Sequence, residues 1–317
     1  MKNQIVAAVA AALAFAACED STRTTTVTPK PAPVIVSKVM QVTPVSPPDS
    51  GMPLAKVEEP QTPVDALALK HDATTVDHVA RARQLMESLD SRGALTEARR
   101  ALFTSPSDAE TLELIAKLGR MAGQPSLSAE AWGRLAQQRP SDAVVCIKQA
   151  RAFLQAKDFV GAIAAGKEAS TRDPGNPEAF QATGIAQLAS GDLSGAITSF
   201  RTVVALQPDH GYAMNNLGLA YLRANRNDEA VEILEEAIEH LSTVAYVHNN
   251  LGVAYERVGR SDDAKHAYQE AMDLSPKYVK ARLNAARVAK SPIEEDATPE
   301  ETMSDIPHPM PETGPTP

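Results

Sequence analysis

The chain is poor in the residues that usually announce chemistry. It has two cysteines, Cys18 and Cys146, too few for a disulfide framework. Its seven histidines, at positions 71, 78, 210, 240, 248, 266 and 308, show no pairing at ligand spacing on one helix, so no metal and no cofactor are expected. The stretch Gly161 to Lys167 has most of a phosphate-binding loop, but Glu168 stands where Ser or Thr must hold magnesium and no strand precedes it. Neither a nucleophile–base pair nor a metal site can be found, and the chain is expected not to be an enzyme. A basic excess is also missing. Residues 75–290 carry 25 Lys and Arg against 26 Asp and Glu, where a nucleic-acid binder needs a positive face. Aromatic residues make up 4% of the 317, and the middle of the chain is short of proline. Of 23 prolines, nine fall in residues 19–74 and seven in 291–317, which leaves seven for 75–290. Such flanks cannot bury a core and read as disordered, with the folded block between them.

The N-terminal apolar run, Ile5 to Ala17, is thirteen residues long after Lys2, too short for a bilayer that takes about 20 residues. It reads as an export signal covering residues 1–17. Its end, Phe15-Ala16-Ala17-Cys18, resembles a bacterial lipobox, in which two small residues precede the cysteine that takes the lipid; Phe15 departs from the usual Leu. The resemblance implies an acylated, palmitate-bearing Cys18 and an outer-membrane anchor facing the periplasm. The alternative is a soluble exported protein cleaved after Ala14-Phe15-Ala16. Residues 18–74 then form the lipidated cysteine and a Pro/Thr-rich tether. Extended as polyproline II at about 3.1 Å per residue, the tether reaches on the order of 170 Å.

Between the flanks a period of 34 dominates. Pro106, Pro140, Pro174, Pro208 and Pro276 fall on one grid, broken only by Ser242, and Ala94, Ala162, Ala196, Ala230 and Ala264 form a second column. Gly184, Gly218 and Gly252 form another, with Tyr221 and Tyr255 three residues beyond the last two. Six units fill 75–278, each reading as two amphipathic helices, as in Pro177–Ala189, a turn, then Leu193–Leu206. The glycines leave room for a facing helix, and Phe200, Leu234 and Tyr268 are the knobs expected to fill it. The column prolines are expected to end each second helix.

The blocks Ala213–Tyr221 (AMNNLGLAY) and His248–Tyr255 (HNNLGVAY) resemble tetratricopeptide repeats. The signature columns are nearly all filled in units four to six and thinner in the first two. The resemblance implies an all-α, right-handed superhelical solenoid of six repeats over 75–290, closed by a capping helix Val279–Lys290. The family exposes the first helix of each unit on its concave face, so residues 34 apart form rows. One row is Asn216, Asn250 and Asn284, whose carboxamides suit the peptide units of an extended chain. Grooves of this family that bind extended peptides use such a row. A second row, Arg223 and Arg257 with Lys280 and Arg287 beside it, suits carboxylates. A solvated basic face and a common family residue are the plainer readings of the same positions. In earlier units Met86, Leu114, Met121, Ile147 and Leu154 read as core or as an apolar concave patch. Cys146 reads as a small core residue.

The tail Ser291–Pro317 holds seven acids and no Lys or Arg; it reads plainly as a solvated terminus, and the more specific reading is that it screens the basic end of the groove until a partner displaces it. The expected function is a membrane-anchored adaptor of the bacterial envelope that binds a peptide segment of a protein partner, with no nucleic acid or small-molecule substrate. Two alternatives stay open. The layout resembles that of six-repeat lipoproteins that pilot secretin assembly in type IV pilus biogenesis, from which the long Pro-rich tether and acidic tail depart, and an accessory subunit of a cell-wall enzyme is the second alternative.

Overall fold

The computed structural model describes residues 65–70 and 76–290. The signal segment, Cys18, the tether up to residue 64 and the acidic tail lie outside the described residues. Among the described residues there are thirteen helices and no strand: α1 (His78–Glu87), α2 (Ser91–Thr104), α3 (Ala109–Met121), α4 (Pro125–Gln138), α5 (Ala143–Gln155), α6 (Phe159–Arg172), α7 (Pro177–Ser190), α8 (Leu193–Leu206), α9 (Gly211–Arg223), α10 (Asn227–His240), α11 (Ala245–Arg257), α12 (Ser261–Leu274) and α13 (Val279–Lys290). Odd helices are the first members of six pairs, even helices the second, and α13 is the closing helix. None is long and apolar enough to cross a membrane.

Caps on the 34-residue grid start the helices. Asp90, Asp158 and Asp192 each accept a backbone N–H at the start of a second helix, and Asp108, Asp142 and Asn176 do so for first helices. The ends follow the grid even without proline. The five second helices that precede a column proline stop two residues short of it, and α10 stops at His240 although Ser242 holds that place. There the imidazole of His248 lies with Nε2 2.8 Å from the Ser242 carbonyl, which holds the turn.

The glycine column is filled as the spacing predicts. A Cβ on Gly218 would lie 2.5 Å from Cγ of Leu234, on Gly252 2.5 Å from Cε1 of Tyr268, and on Gly184 2.8 Å from Cε1 of Phe200. Phe200, Leu234 and Tyr268 are fully buried. From the third pair onward consecutive first helices touch one another, while second helices stand further apart. The first helices therefore make the inner layer of the superhelix, and grooves open between second helices outside.

One boundary needs correcting. The sequence assigns residues 18–74 wholly to a free tether, but 65–70 are packed on the outer layer. Leu67 is fully buried in the core of the first pairs, and the Leu69 N–H donates to the Arg99 carbonyl at 3.0 Å. Arg99 donates to the carbonyls of Ala66 and Leu67, and Arg134 grips the Asp65 carboxylate with two nitrogens. Burying one leucine and satisfying two carbonyls offsets the entropy of ordering so short a segment.

Candidate functional site: a carboxamide ladder on the first helices

The grid places two adjacent polar columns on α7, α9, α11 and α13. Gln181, Asn215 and Asn249 form one, and Asn216, Asn250 and Asn284 the other. The sequence reading found only the second and expected it open. The structure buries both: Asn216 and Asn284 are 0% exposed, Asn250 1% and Gln181 4%. The columns join across helices. Asn250 Nδ2 donates to Asn215 Oδ1 at 3.0 Å, and Asn284 Nδ2 donates to Asn249 Oδ1 at 2.8 Å. Each rung spans 35 residues, one repeat plus one, so it ties a first helix to the next.

The rung that the same step predicts between Asn216 and Gln181 is not made. Among the described residues Asn216 Nδ2 and both polar atoms of the Gln181 carboxamide are buried without a hydrogen bond. Glutamine carries one more methylene than asparagine, so its amide does not fall where Asn215 and Asn249 present theirs. Farther along, Asn249 Nδ2 and Asn250 Oδ1 are also unpaired. A buried polar group without a partner costs about 1–3 kcal/mol. This row therefore holds three donors and acceptors at its first step and two at its second that a peptide backbone can satisfy.

The basic residues are placed differently from the carboxylate-binding row expected of them. Arg223 Nη1 donates to the Leu188 carbonyl at 2.7 Å, and Arg257 Nη1 to the Leu222 carbonyl at 2.5 Å. Each closes the last turn of the preceding first helix, where carbonyls lack helical partners. Arg287 pairs with Glu256 through both terminal nitrogens and donates to Asn284 Oδ1 at 3.2 Å. Glu256 also accepts from Tyr268 Oη at 2.9 Å, so this cluster pins α13 to the last pair. Lys280 lies half-buried one turn before Asn284.

A second feature escaped the sequence reading. Tyr212 and Tyr246 stand 34 apart at the start of α9 and α11, near Tyr278. Burial raises the Tyr246 hydroxyl far above the usual tyrosine range, and the neighbouring Tyr212 and Tyr278 add to the effect. All three are half-buried, which puts an aromatic lip beside the ladder. The signal in the sequence is the 34-residue step from Tyr212 to Tyr246.

In the first pairs Ile147 is core, Met86 and Leu114 lie partly buried against it, Leu154 packs instead against the core of the later pairs, and Met121 is 50% exposed. Met86 and Leu114 line a cavity of about 320 Å³ between α1 and α3, rimmed by the ion-paired Arg83 and Glu110. Cys146 is buried, and burial pushes its thiol upward, away from reactivity. Gly161 and Lys167 lie inside α6. Among the described residues no three His, Cys, Asp or Glu side chains converge as a metal site.

Comparison with known proteins agrees with this architecture. Residues 182–243 and 245–278 match two family models, both described as tetratricopeptide repeat. Among curated proteins nothing matches. Solved structures share the fold at low identity. A solved structure of Pseudomonas aeruginosa pilF is 16% identical, with a TM-score of 0.50 over 66% of this chain and 96% of that one. The MamA RS-1 ArsTM double mutant is 20% identical, TM-score 0.50, over 53% of this chain and 94% of that one. The APC/C hetero-tetramer Cut9-Hcn1 is 16% identical, TM-score 0.50, over 67% of this chain and 42% of that one. The chain is thus an all-α tetratricopeptide-type superhelix, an architecture that generally serves as a non-enzymatic scaffold for protein partners.

Proposed function

We propose that this scaffold binds an extended peptide segment of an envelope protein along the ladder Gln181–Asn216, Asn215–Asn250 and Asn249–Asn284, held near a membrane through a lipid on Cys18. The observation that carries the reading is the set of buried, unpartnered carboxamide atoms at Gln181, Asn216, Asn249 and Asn250. A peptide unit offers one donor and one acceptor, so two or three units satisfy the open rung and the half-used ones. Because the row is buried in the free chain, a partner reaches it by uncovering the first helices. Binding then carries that opening cost, and a fraction of its intrinsic affinity goes to it. The tyrosine lip gives side chains of the segment an apolar wall with polar tips.

The test is in-cell crosslinking from a photoreactive residue at half-buried Tyr212, against one at exposed Gln269 on α12, followed by mass spectrometry. Capture of a defined envelope protein from Tyr212 alone supports the reading, and capture from Gln269 alone sinks it. The identity of the adduct separates a secretin of pilus biogenesis from a cell-wall enzyme. For the anchor, Cys18→Ser is expected to move the protein from the membrane to the soluble fraction and to abolish palmitate labelling; an unchanged membrane fraction contradicts it.

A further inference from the structure

The outer layer repeats the place where Leu67 is buried. Arg99 on α2 and Arg134 on α4 hold residues 65–69 between these second helices: Arg99 takes the carbonyls of 66 and 67, and Arg134 takes the Asp65 carboxylate. Three repeats on, a shift of 102, the corresponding residues are Arg201 on α8 and Glu236 on α10. They line an open cavity of about 390 Å³ between those helices. Its floor is apolar, with Val204, Leu217 and Ile233 where the first groove has Leu102, Ile115 and Ala131. Other second-helix grooves lack the pair. At the Arg99 position the second, third and fifth units carry Gly133, Lys167 and Glu235.

We propose that the groove between α8 and α10 is a second docking site. It takes an extended segment of a protein partner with an aliphatic residue two positions after a lysine or arginine. The chain's own segment, Asp65-Ala66-Leu67-Ala68-Leu69, is the template. Arg201 keeps the guanidinium that in the first groove holds two backbone carbonyls, and it lines the cavity beside Glu229, whose carboxyl its charge helps to hold low while Arg226 takes the hydrogen bonds of that carboxylate. The apolar floor keeps the place for the leucine. The exchange of Arg134 for Glu236, with exposed Glu232 one turn before it, inverts the charge required two residues upstream. This surface lies on the opposite layer from the carboxamide ladder and is independent of it.

The probe is a labelled twelve-residue peptide with the sequence of residues 61–72 and Asp65→Lys, titrated by fluorescence anisotropy into the full chain. Binding is expected, to fall about tenfold, or about 1.4 kcal/mol, with Glu236→Arg in the chain. The unsubstituted peptide is expected to show the reverse, binding the Glu236→Arg chain better than the parent. The first groove does not compete, because its own segment is tethered at high effective concentration and Arg134 repels the lysine. Leu67→Ala in the peptide is expected to abolish binding, and Arg201→Ala to weaken both peptides alike. Affinities indifferent to Glu236→Arg overturn the proposal, as does loss of binding with Asn250→Ala on the inner layer. Binding only to a Lys38→Glu chain also overturns the partner assignment. It would give the groove to the chain's own Lys38-Val39-Met40-Gln41-Val42, which has the same spacing.

Discussion

At the scale of single residues, the inner row separates groups that hold the fold from groups that the fold leaves unpaired. Asn250 donates to Asn215, so Asn250→Ala strands a buried Oδ1 and is expected to cost about 1–3 kcal/mol, read from urea unfolding. Among the described residues the Asn216 side chain spends no donor: its Nδ2 is orphaned, and its Oδ1 accepts a 3.5 Å contact from Asn215. Asn216→Ala is therefore expected to change stability by less than about 0.5 kcal/mol, or to raise it. A larger loss at Asn216 than at Asn250 would reverse this assignment. His210 gives a pH dependence. It caps α9, Nδ1 accepting from the Ala213 N–H at 3.2 Å, and burial holds the ring below its usual value of 6.5. The folded state thus favours the neutral ring. The stabilisation is present above pH 6.5 and is lost as pH falls below it through the folded value. Urea midpoints are expected to drop from pH 7.5 to pH 5, and His210→Asn, which keeps a capping acceptor, is expected to flatten that slope. An unchanged slope contradicts the capping account.

At the scale of elements, the pair is set by a hole and a knob. Gly218→Ala puts a methyl 2.5 Å from the Leu234 side chain and is expected to cost about 1–3 kcal/mol. Leu234→Ala in the same chain is expected to recover part of that loss, and a double-mutant cycle with no coupling would contradict the packing. This level was legible in the sequence. The glycine column, its knobs Phe200, Leu234 and Tyr268, the turn at Gly191 and the closing helix Val279–Lys290 all stand where the period put them. Proline explained less than the grid suggested, because Ser242 ends α10 at the same step with the help of His248. The row at Asn216, Asn250 and Asn284 was legible as a row but not as a ladder. Whether a side chain on one first helix reaches the next depends on the twist between repeats, a non-local quantity that no spacing reports. The same holds for Arg223 and Arg257, whose partners are backbone carbonyls, which no sequence pattern marks.

At the scale of the described solenoid, each unit leans on its neighbours, so the ends matter most. The chain closes its first end with Leu67 and its last with α13, pinned through Arg287, Glu256 and Tyr268. Leu67→Ala removes a fully buried side chain and is expected to cost about 2–5 kcal/mol, with amide exchange rising first in α2 and α4. Protection unchanged there would show that residues 65–70 do not close the array. The central claim is that the ladder keeps unpaired carboxamides for a partner's backbone. Its most direct test is the yield of the in-cell adduct from a photoreactive residue at Tyr212, measured with Asn216 intact and with Asn216→Ala. The account predicts that the adduct disappears with Asn216→Ala while the unfolding midpoint is unchanged or higher. An adduct that survives the substitution would contradict it.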